Sequence, residues 1–299
     1  MEYGVHSEFG RLRKILLHRP GEEMRKITKK TLAHYRFKAV PHFEKMQEEF
    51  DDFLLIFKQE GIKTVLLNDF LKNTTEPNLL FIRDVLAISD CGLIIMNMAI
   101  EGRKQEPTLV KEALSNEIPI AIEIKDPGVL EGGDLVFLDE KTLAIGYGPR
   151  SNFEGVQQLV DKLKGSFLEE ILLVPLADYR VHLDGAFMMV APKLCVIHEP
   201  SVSPKPAQII SRRNTTKEYF PDYLQKKKFT KVPVTMDETK TFGPNLFVLE
   251  PAKVISYKWN TRIISELEKN GVEVIPLQGK ELVKGGGGPH CMTCPILRD

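Results

Sequence analysis

Apolar and polar positions along the chain follow a pattern that recurs several times. The clearest copy covers residues 131–175, where a turn "EGGD" is followed by a strand "LVFL", a tight turn "DEK", a strand "TLAIGY", a helix "NFEGVQQLVDKL" and a strand "EILLVP". Apolar side chains recur at helical spacing through that helix, at Phe153, Val156, Leu159, Val160 and Leu163. The pattern predicts a strand, strand, helix, strand (ββαβ) unit.

Four further stretches show the same order of elements. Residues 77–124 and 244–277 each contain two strand patterns, a helical pattern and a last strand pattern. A copy that begins at His182 has its strand patterns interrupted by the proline-containing residues 199–216, for which we expect a loop near the mouth of a site. In this copy "TTKEYFPDYLQKK" is predicted to be helical.

The N-terminal copy begins with the strand pattern "RKILLHR". A helix is predicted from about Pro41 to Glu60, with Gly61 as its C-cap, and the strand pattern "IKTVLL" follows. The apolar face of this helix is rich in aromatic rings, at Phe43, Met46, Phe50, Phe53, Leu54 and Phe57.

Each unit is too small to bury its own apolar face, so five units should pack around a common axis as one α/β domain spanning residues 1–299. The five units would close most simply into a ring. The residues just before the first strand of each unit, the openings of these strands, would then point at one central spot, where Cys291 would also lie. Those openings carry the polar residues Asp84, Glu131, Asp134, His182, Asp184 and Asn245.

Composition narrows the class of partner. The chain has 41 basic and 41 acidic side chains, so it lacks the basic surface of a nucleic-acid binder or a polybasic membrane anchor, and a small-molecule partner is expected. It shows no signal-peptide pattern and no apolar run near the ~18 residues that span a bilayer, so we expect a cytoplasmic protein. The 4 cysteines are too few for a disulfide scaffold and should be free thiols.

Two residues are candidates for covalent and proton-transfer chemistry. Cys291 lies in "GGGGPHCMTC", where bare glycine backbone could let a substrate approach a nucleophilic thiolate, and His290 is expected to point away from it. His182, in "HLDG", can give and take a proton near neutral pH. Alone, the first motif is equally compatible with a flexible tail, and the second is more typical of a structural histidine.

The acids at the same centre suggest the charge of the substrate. Carboxylates raise the pKa of a thiol and repel its thiolate, which does not suit ordinary acyl transfer. A planar guanidinium pairs with two carboxylates in bidentate geometry, and its charge favours the thiolate. The residues therefore predict attack of Cys291 on a guanidinium carbon, with His182 protonating the departing amine and then activating water.

The order of motifs resembles the guanidine-modifying superfamily of arginine deiminases, dimethylarginine dimethylaminohydrolases, agmatine deiminases and amidinotransferases. The motifs are "VHSEFGRLRKILLHRPG", "PNLLFIRD", "EGGDLVFL", "HLDGAF" and "ELVKGGGGPHCMTCPILRD", and they are most similar to arginine deiminases. The resemblance implies a five-bladed α/β propeller. It also implies a hydrolase that converts L-arginine to L-citrulline and ammonia, without metal or cofactor.

The resemblance assigns roles to particular residues. Asp84 and Asp184 would clamp the guanidinium, Glu131 and His182 would form the acid/base pair, and Cys291 would be the nucleophile. Four more positions would line the pocket or hold the α-carboxylate of the substrate: Asn78 and Phe81 for the pocket, Arg103 and Arg150 for the carboxylate.

Two departures from the family pattern are present, and two alternative functions stay open. An inserted helical domain typical of arginine deiminases is absent, and Gly286 and His290 stand where the family has basic residues. A dimethylarginine hydrolase or an amidinotransferase is therefore the alternative within the superfamily. The pair Cys291 and Cys294 also fits a zinc or redox protein, although no second ligand pair accompanies it. The sequence leaves open a homodimer.

Overall fold

The chain folds as a mixed α/β structure with five small sheets, and the computed structural model describes residues 1–71 and 74–299. The strands are β1 Leu12–Leu17, β2 Lys63–Leu66, β3 Leu86–Ser89, β4 Gly92–Ile95, β5 Ile120–Glu123, β6 Leu135–Asp139, β7 Thr142–Tyr147, β8 Glu170–Pro175, β9 Phe187–Ala191, β10 Leu194–Ile197, β11 Ala207–Ser211, β12 Thr215–Glu218, β13 Thr230–Pro233, β14 Phe247–Glu250, β15 Lys253–Tyr257, β16 Glu273–Leu277 and β17 Cys294–Arg298. The helices are α1 Leu32–Tyr35, α2 Phe43–Gln59, α3 Ile82–Val85, α4 Glu106–Leu114, α5 Phe153–Leu163, α6 Glu199–Val202, α7 Phe220–Lys226, α8 Met236–Lys240 and α9 Thr261–Lys269.

The predicted ββαβ unit is the building block of the sheets. In the clearest copy, β6 pairs antiparallel with β7, α5 follows, and β8 pairs parallel with β7. The same connection joins β3, β4 and β5 through α4, and β14, β15 and β16 through α9. In the fourth copy β10 lies between antiparallel β9 and parallel β13. The recurring hydrophobic pattern therefore predicted these units correctly.

The first sheet combines the two ends of the sequence. β1 pairs parallel with β2, which follows α2, and antiparallel with β17 from the C-terminal segment. β17 thus occupies the place that the first strand of the hairpin takes in the other sheets. This pairing fixes the segment that carries Cys291, which lies three residues before β17 begins.

Side-chain patterning explains where the helices form. The Asn152 side chain caps α5 by accepting a hydrogen bond from the Gly155 N–H at 2.8 Å, and the predicted face buries Val156, Leu159, Val160 and Leu163. The face of α2 buries Met46, Phe50, Phe53 and Phe57. Gly61, just beyond α2, has a φ of +69°, the left-handed conformation expected after a helix end.

The fourth unit contains the two predictions that were wrong. The stretch "TTKEYFPDYLQKK" is split into β12 and α7, because Pro221 favours the first turn of a helix and Tyr219, the residue before α7, has extended backbone. Residues 199–216 do not form a loop. They contain α6, β11 and the start of β12, and this hairpin extends the sheet of β6, β7 and β8 by pairing with β8.

The polar residues predicted to converge all precede the first strand of a sheet. Asp84 lies two residues before β3, Asp184 three residues before β9, and Asn245 two residues before β14. Glu131 is the residue before the short 3-10 helix Gly132–Asp134 that leads into β6. The repeated unit therefore places the polar residues that precede these first strands at the site described below.

Replacing Phe53 with Ala should lower the free energy of unfolding by about 3–5 kcal/mol, because its buried ring packs against Phe50 and Phe57 and leaves a cavity when removed. Urea unfolding followed by circular dichroism measures the change. Leu55→Ala on the same helix is the control. Its side chain is 47% exposed, so a change of no more than about 0.5 kcal/mol is expected. Equal losses in both variants would contradict the assigned buried face of α2.

Candidate active site

Cys291 and four of the predicted polar residues form one buried cluster. Cys291 Sγ lies 3.5 Å from Asp184 Oδ2. His182 Nε2 lies 2.8 Å from Glu131 Oε2, and His182 Nδ1 lies 3.5 Å from Asp84 Oδ1. All five side chains are buried, so each charge depends on its protein neighbours rather than on water.

Cys291 opens onto a cavity of about 310 Å³. His182, Asp184, Asn245 and Gly286 also line this cavity. The Asn245 side chain accepts a hydrogen bond from the Cys291 N–H at 3.2 Å, which holds the backbone of the thiol residue. A small molecule that enters the cavity therefore meets the thiol, an imidazole and a carboxylate together.

The free thiol is not poised to ionise. Burial and the negative charges of Asp184 and Asp84 raise the pKa of Cys291 well above its ordinary value. A positive ligand beside these carboxylates would oppose that effect. This is the electrostatic behaviour predicted from the number of acids around the thiol.

His182 and Glu131 form a buried ion pair. Burial disfavours the charged imidazole, but the negative charges of Asp84 and Glu131 outweigh it and raise the pKa of His182 to about 9. Burial likewise disfavours the Glu131 carboxylate, but the hydrogen bond from His182 and the charge of Arg150 lower its pKa to about 2. At neutral pH His182 is thus an imidazolium that can donate a proton.

Close backbone approach explains two of the glycines at the site. A Cβ on Gly133 would lie 2.8 Å from His182 Nδ1, and one on Gly288 would lie 2.6 Å from Asn245 Oδ1. Only Gly286 of the four consecutive glycines lines the cavity, and its φ of +93° favours glycine. The bare backbone therefore mainly allows the site residues to pack closely.

Arg103 and Arg150 lie against acids of the cluster and do not line the cavity. Arg103 Nη1 donates to Asp84 Oδ2 at 2.5 Å, and its remaining groups bind Glu106 and the carbonyls of Asn78 and Phe81. Arg150 Nε donates to Glu131 Oε1 at 2.9 Å. Their predicted contact with a substrate carboxylate would require them to leave these acids, and it stays a prediction.

Asn78 and Phe81 contact residues 34–39, a segment that packs over the site. The Asn78 amide donates to the Tyr35 carbonyl at 3.0 Å, and the Phe81 ring lies 6.5 Å from the Phe37 ring. Lys38, one residue further, lines the cavity, and its N–H donates to the Lys284 carbonyl at 2.7 Å. The segment of residues 34–39 thus packs over the centre, and neither Asn78 nor Phe81 lines the cavity itself.

Two further residues extend the cluster away from the cavity. His290 Nδ1 lies 2.8 Å from Asp184 Oδ2, the oxygen that Cys291 contacts, and His290 Nε2 lies 3.5 Å from Glu8 Oε2. His290 was expected to point away, and it indeed does not line the cavity, but it binds a site acid. No local sequence signal indicated Glu8, because it meets His290 only through the pairing of the chain ends.

Within the described part of the chain, neither cysteine of "CMTC" belongs to the group of residues that could hold a metal ion. Among residues 1–71 and 74–299, the group that could hold a metal ion is Asp84, Glu131 and His182, whose ligand atoms lie within 4.8 Å of one another. Arg103 and Arg150 already neutralise its two acids. Cys294 is buried in β17, where burial raises its pKa to about 12, so a shared zinc or redox site with Cys291 has no support.

A family model described as arginine deiminase matches residues 74–298, which is more than half of the chain. The chain belongs to the arginine deiminase family. This match includes every predicted site residue. Within the described part of the chain, no helix is long and apolar enough to cross a membrane.

Curated relatives extend the similarity to the whole length. The arginine deiminase of Rhodococcus erythropolis is 26% identical over 396 aligned positions, which cover 99% of this chain and 97% of the relative. That of Listeria welshimeri is 23% identical over 400 positions, covering 99% and 98%. Both alignments are longer than the 299-residue chain, so the relatives contain positions that have no counterpart here.

Solved structures show the same fold. A dimethylarginine dimethylaminohydrolase from Pseudomonas aeruginosa, complexed with citrulline, superposes with a TM-score of 0.74 at 18% identity, covering 96% of this chain and all of that one (100%). SxtG, an amidinotransferase from Microseira wollei, superposes with a TM-score of 0.72 at 16% identity, covering 99% and 97%. The dimethylaminohydrolase and amidinotransferase folds are therefore both similar to this one.

The thiol of Cys291 should titrate late in the free protein. In the difference between wild type and Cys291→Ala, we expect the ultraviolet absorbance of the thiolate to rise only above pH 9, because burial and Asp184 disfavour the anion. The subtraction removes the other three cysteines and the tyrosines. A titration step near pH 7 in this difference would contradict the electrostatics described here.

Proposed function

We propose that this chain is a cysteine-dependent hydrolase of guanidino compounds that converts L-arginine to L-citrulline and ammonia. The observation that carries the proposal is the position of the Cys291 thiol against Asp184, with the His182–Glu131 pair beside it. A thiol among buried carboxylates becomes reactive when the ligand itself is cationic. Membership in the arginine deiminase family supports the same substrate.

The first half of the reaction forms a covalent intermediate. The guanidinium binds between Asp84 and Asp184, and its charge favours loss of the Cys291 proton to solvent. The thiolate forms a bond to the guanidinium carbon. The C–N bond to a terminal nitrogen then breaks, and that nitrogen leaves as ammonia after taking a proton from His182, which leaves an S-alkylthiouronium on Cys291.

The second half consumes one water. Neutral His182 removes a proton from water as the water oxygen bonds to the thiouronium carbon. The C–S bond then breaks, the hydroxyl of the tetrahedral adduct passes its proton to the leaving thiolate, and the ureido group of citrulline forms while the Cys291 thiol is restored. His182 ends as the imidazolium, held by Glu131, ready for the next turnover.

We also propose that residues 1–299 form one catalytic domain in which the five sheets surround this centre as the blades of an α/β propeller. The support is the common connectivity of the sheets and the common position of Asp84, Glu131, Asp184, Asn245 and Cys291 ahead of their first strands. A cytoplasmic location and a homodimer stay predictions from the sequence.

Cys291→Ser should lower the rate of citrulline formation by at least about a thousandfold, because the serine hydroxyl is a far weaker nucleophile than the thiolate. Citrulline and ammonia are measured together with purified protein and L-arginine, and should form in equal amounts. Cys91→Ser, at an exposed cysteine, is the matched control and should keep wild-type activity. Unchanged turnover in Cys291→Ser would exclude the mechanism.

The same assay separates the alternatives within the superfamily. Mass spectrometry of products, with and without an amine acceptor such as glycine, detects amidino transfer as a new guanidino compound. Dimethylarginine in place of L-arginine tests for dimethylamine release. Hydrolysis of L-arginine that is unaffected by the acceptor is the expected result.

A further inference from the structure

Asp184 contacts two consecutive residues of the C-terminal segment through one oxygen. Cys291 Sγ lies 3.5 Å from Asp184 Oδ2, and His290 Nδ1 lies 2.8 Å from the same atom. Asp184 also lines the cavity, and its Oδ1 accepts no hydrogen bond from the described residues 1–71 and 74–299. The protein therefore holds one oxygen of this carboxylate and leaves the other available to a ligand.

Backbone hydrogen bonds fix the turn that carries His290. Its N–H donates to the Asn245 carbonyl at 3.3 Å, and its carbonyl accepts from the Thr293 N–H at 3.1 Å and from Thr293 Oγ1 at 2.8 Å. The Asn245 side chain in turn accepts from the Cys291 N–H at 3.2 Å. The imidazole and the thiol thus lie on one short, fixed segment of backbone, so the position of one limits the position of the other.

Glu8 faces the second nitrogen of the His290 ring. His290 Nε2 lies 3.5 Å from Glu8 Oε2, and both side chains are buried. Burial disfavours the Glu8 carboxylate, but its interaction with His290 and the charge of Arg83 lower its pKa to about 2. Because an ionised carboxylate attracts the N–H side of an imidazole, Glu8 favours the ring orientation that directs Nδ1 toward Asp184.

His290 helps to keep Asp184 ionised. Burial disfavours the Asp184 carboxylate, but the hydrogen bond and the charge of His290, with smaller contributions from other cations, hold its pKa below the ordinary value. Of the two contacts at Oδ2, the one from His290 is the shorter. The charged and titratable groups that face Asp184 from the elements packed against it are Glu8, Arg83, Asp134, Arg180, His182, His290 and Cys291.

We infer that His290, oriented by Glu8, is a positioning residue that keeps the Asp184 carboxylate charged and fixed beside Cys291. Asp184 can then bind a guanidinium through Oδ1 while His290 holds Oδ2. Neither His290 nor Glu8 lines the cavity, so both act on the reaction through Asp184. The inference rests on the proposed function, since it names the residues that prepare one acid of the same site.

Infrared spectroscopy tests the charge of Asp184 without substrate. The carbonyl band of its protonated carboxyl group, assigned by its loss in Asp184→Asn, is followed against pH in the full chain. His290→Leu should take up the Asp184 proton at a pH about one to two units higher than the wild type, because one hydrogen bond to the carboxylate is lost. His290→Asn, whose amide can still donate to Oδ2, should reverse part of this shift. Glu8→Gln should shift proton uptake in the same direction by less.

The pH dependence of citrulline formation should show the same change. Since a protonated Asp184 binds guanidinium poorly, the acid limb of kcat/KM should move to higher pH in His290→Leu by about one to two units. A merely structural role would lower the rate without moving this limb. His18→Leu is the matched control, because His18 is also buried and its Nε2 lies 3.2 Å from Glu23 Oε1, outside the cavity lining. Its acid limb should match that of the wild type.

Thermal unfolding shows first that each variant is folded. An Asp184 band that titrates at the same pH in the wild type and in His290→Leu would overturn the inference. If His290→Leu does not fold, Glu8→Gln replaces it, and an unshifted band there overturns the inference equally. The infrared titration needs no substrate, so a wild type that formed no citrulline would reject the proposed function and leave the infrared result to decide the role of His290 at Asp184.

Discussion

Compensation of buried charge is the constraint on which the centre of this protein depends. Asp84, Glu131 and Asp184 are removed from water, so each needs a positive or hydrogen-bonding partner to stay ionised. Arg103, Arg150 and His290 provide those partners from different parts of the fold. The cluster is therefore stable without ligand, yet its negative charge still suppresses ionisation of the thiol. A cationic substrate would offset the negative charge that disfavours the Cys291 thiolate.

Local patterning was sufficient to predict most of the fold. Period-two and helical spacing identified the ββαβ units, and the apolar faces of α2 and α5 are buried as their sequences indicate. The errors lie in the fourth unit, where β11 pairs with β12 on one side and with β8 of a different unit on the other. Such a pairing depends on long-range partners, and short polar strands such as "TTKE" show little hydrophobic alternation. A helix pattern starting at Pro221 was consequently extended too far.

The site was predictable where chemistry and repeat position agree, as for Cys291, His182, Glu131, Asp84 and Asp184. It was not predictable where a residue reaches the centre by tertiary packing alone. Glu8 and Lys38 come from N-terminal segments whose sequences resemble ordinary surface stretches, and Arg180 precedes its motif without a distinguishing pattern. Arg103 was recognised by spacing, but spacing could not reveal that Asp84 and Glu106 already bind it.

The pairing of β1 with β17 has a consequence for how the enzyme comes into being. During synthesis on the ribosome, β1 must wait for β17, which follows the strands of the other sheets in the sequence. Cys291 precedes that strand, so its thiol cannot meet Asp184 until the sheet is completed. Reactivity toward guanidinium groups should therefore arise only when β17 pairs with β1. Nascent chains that lack β17 should not react with guanidinium groups.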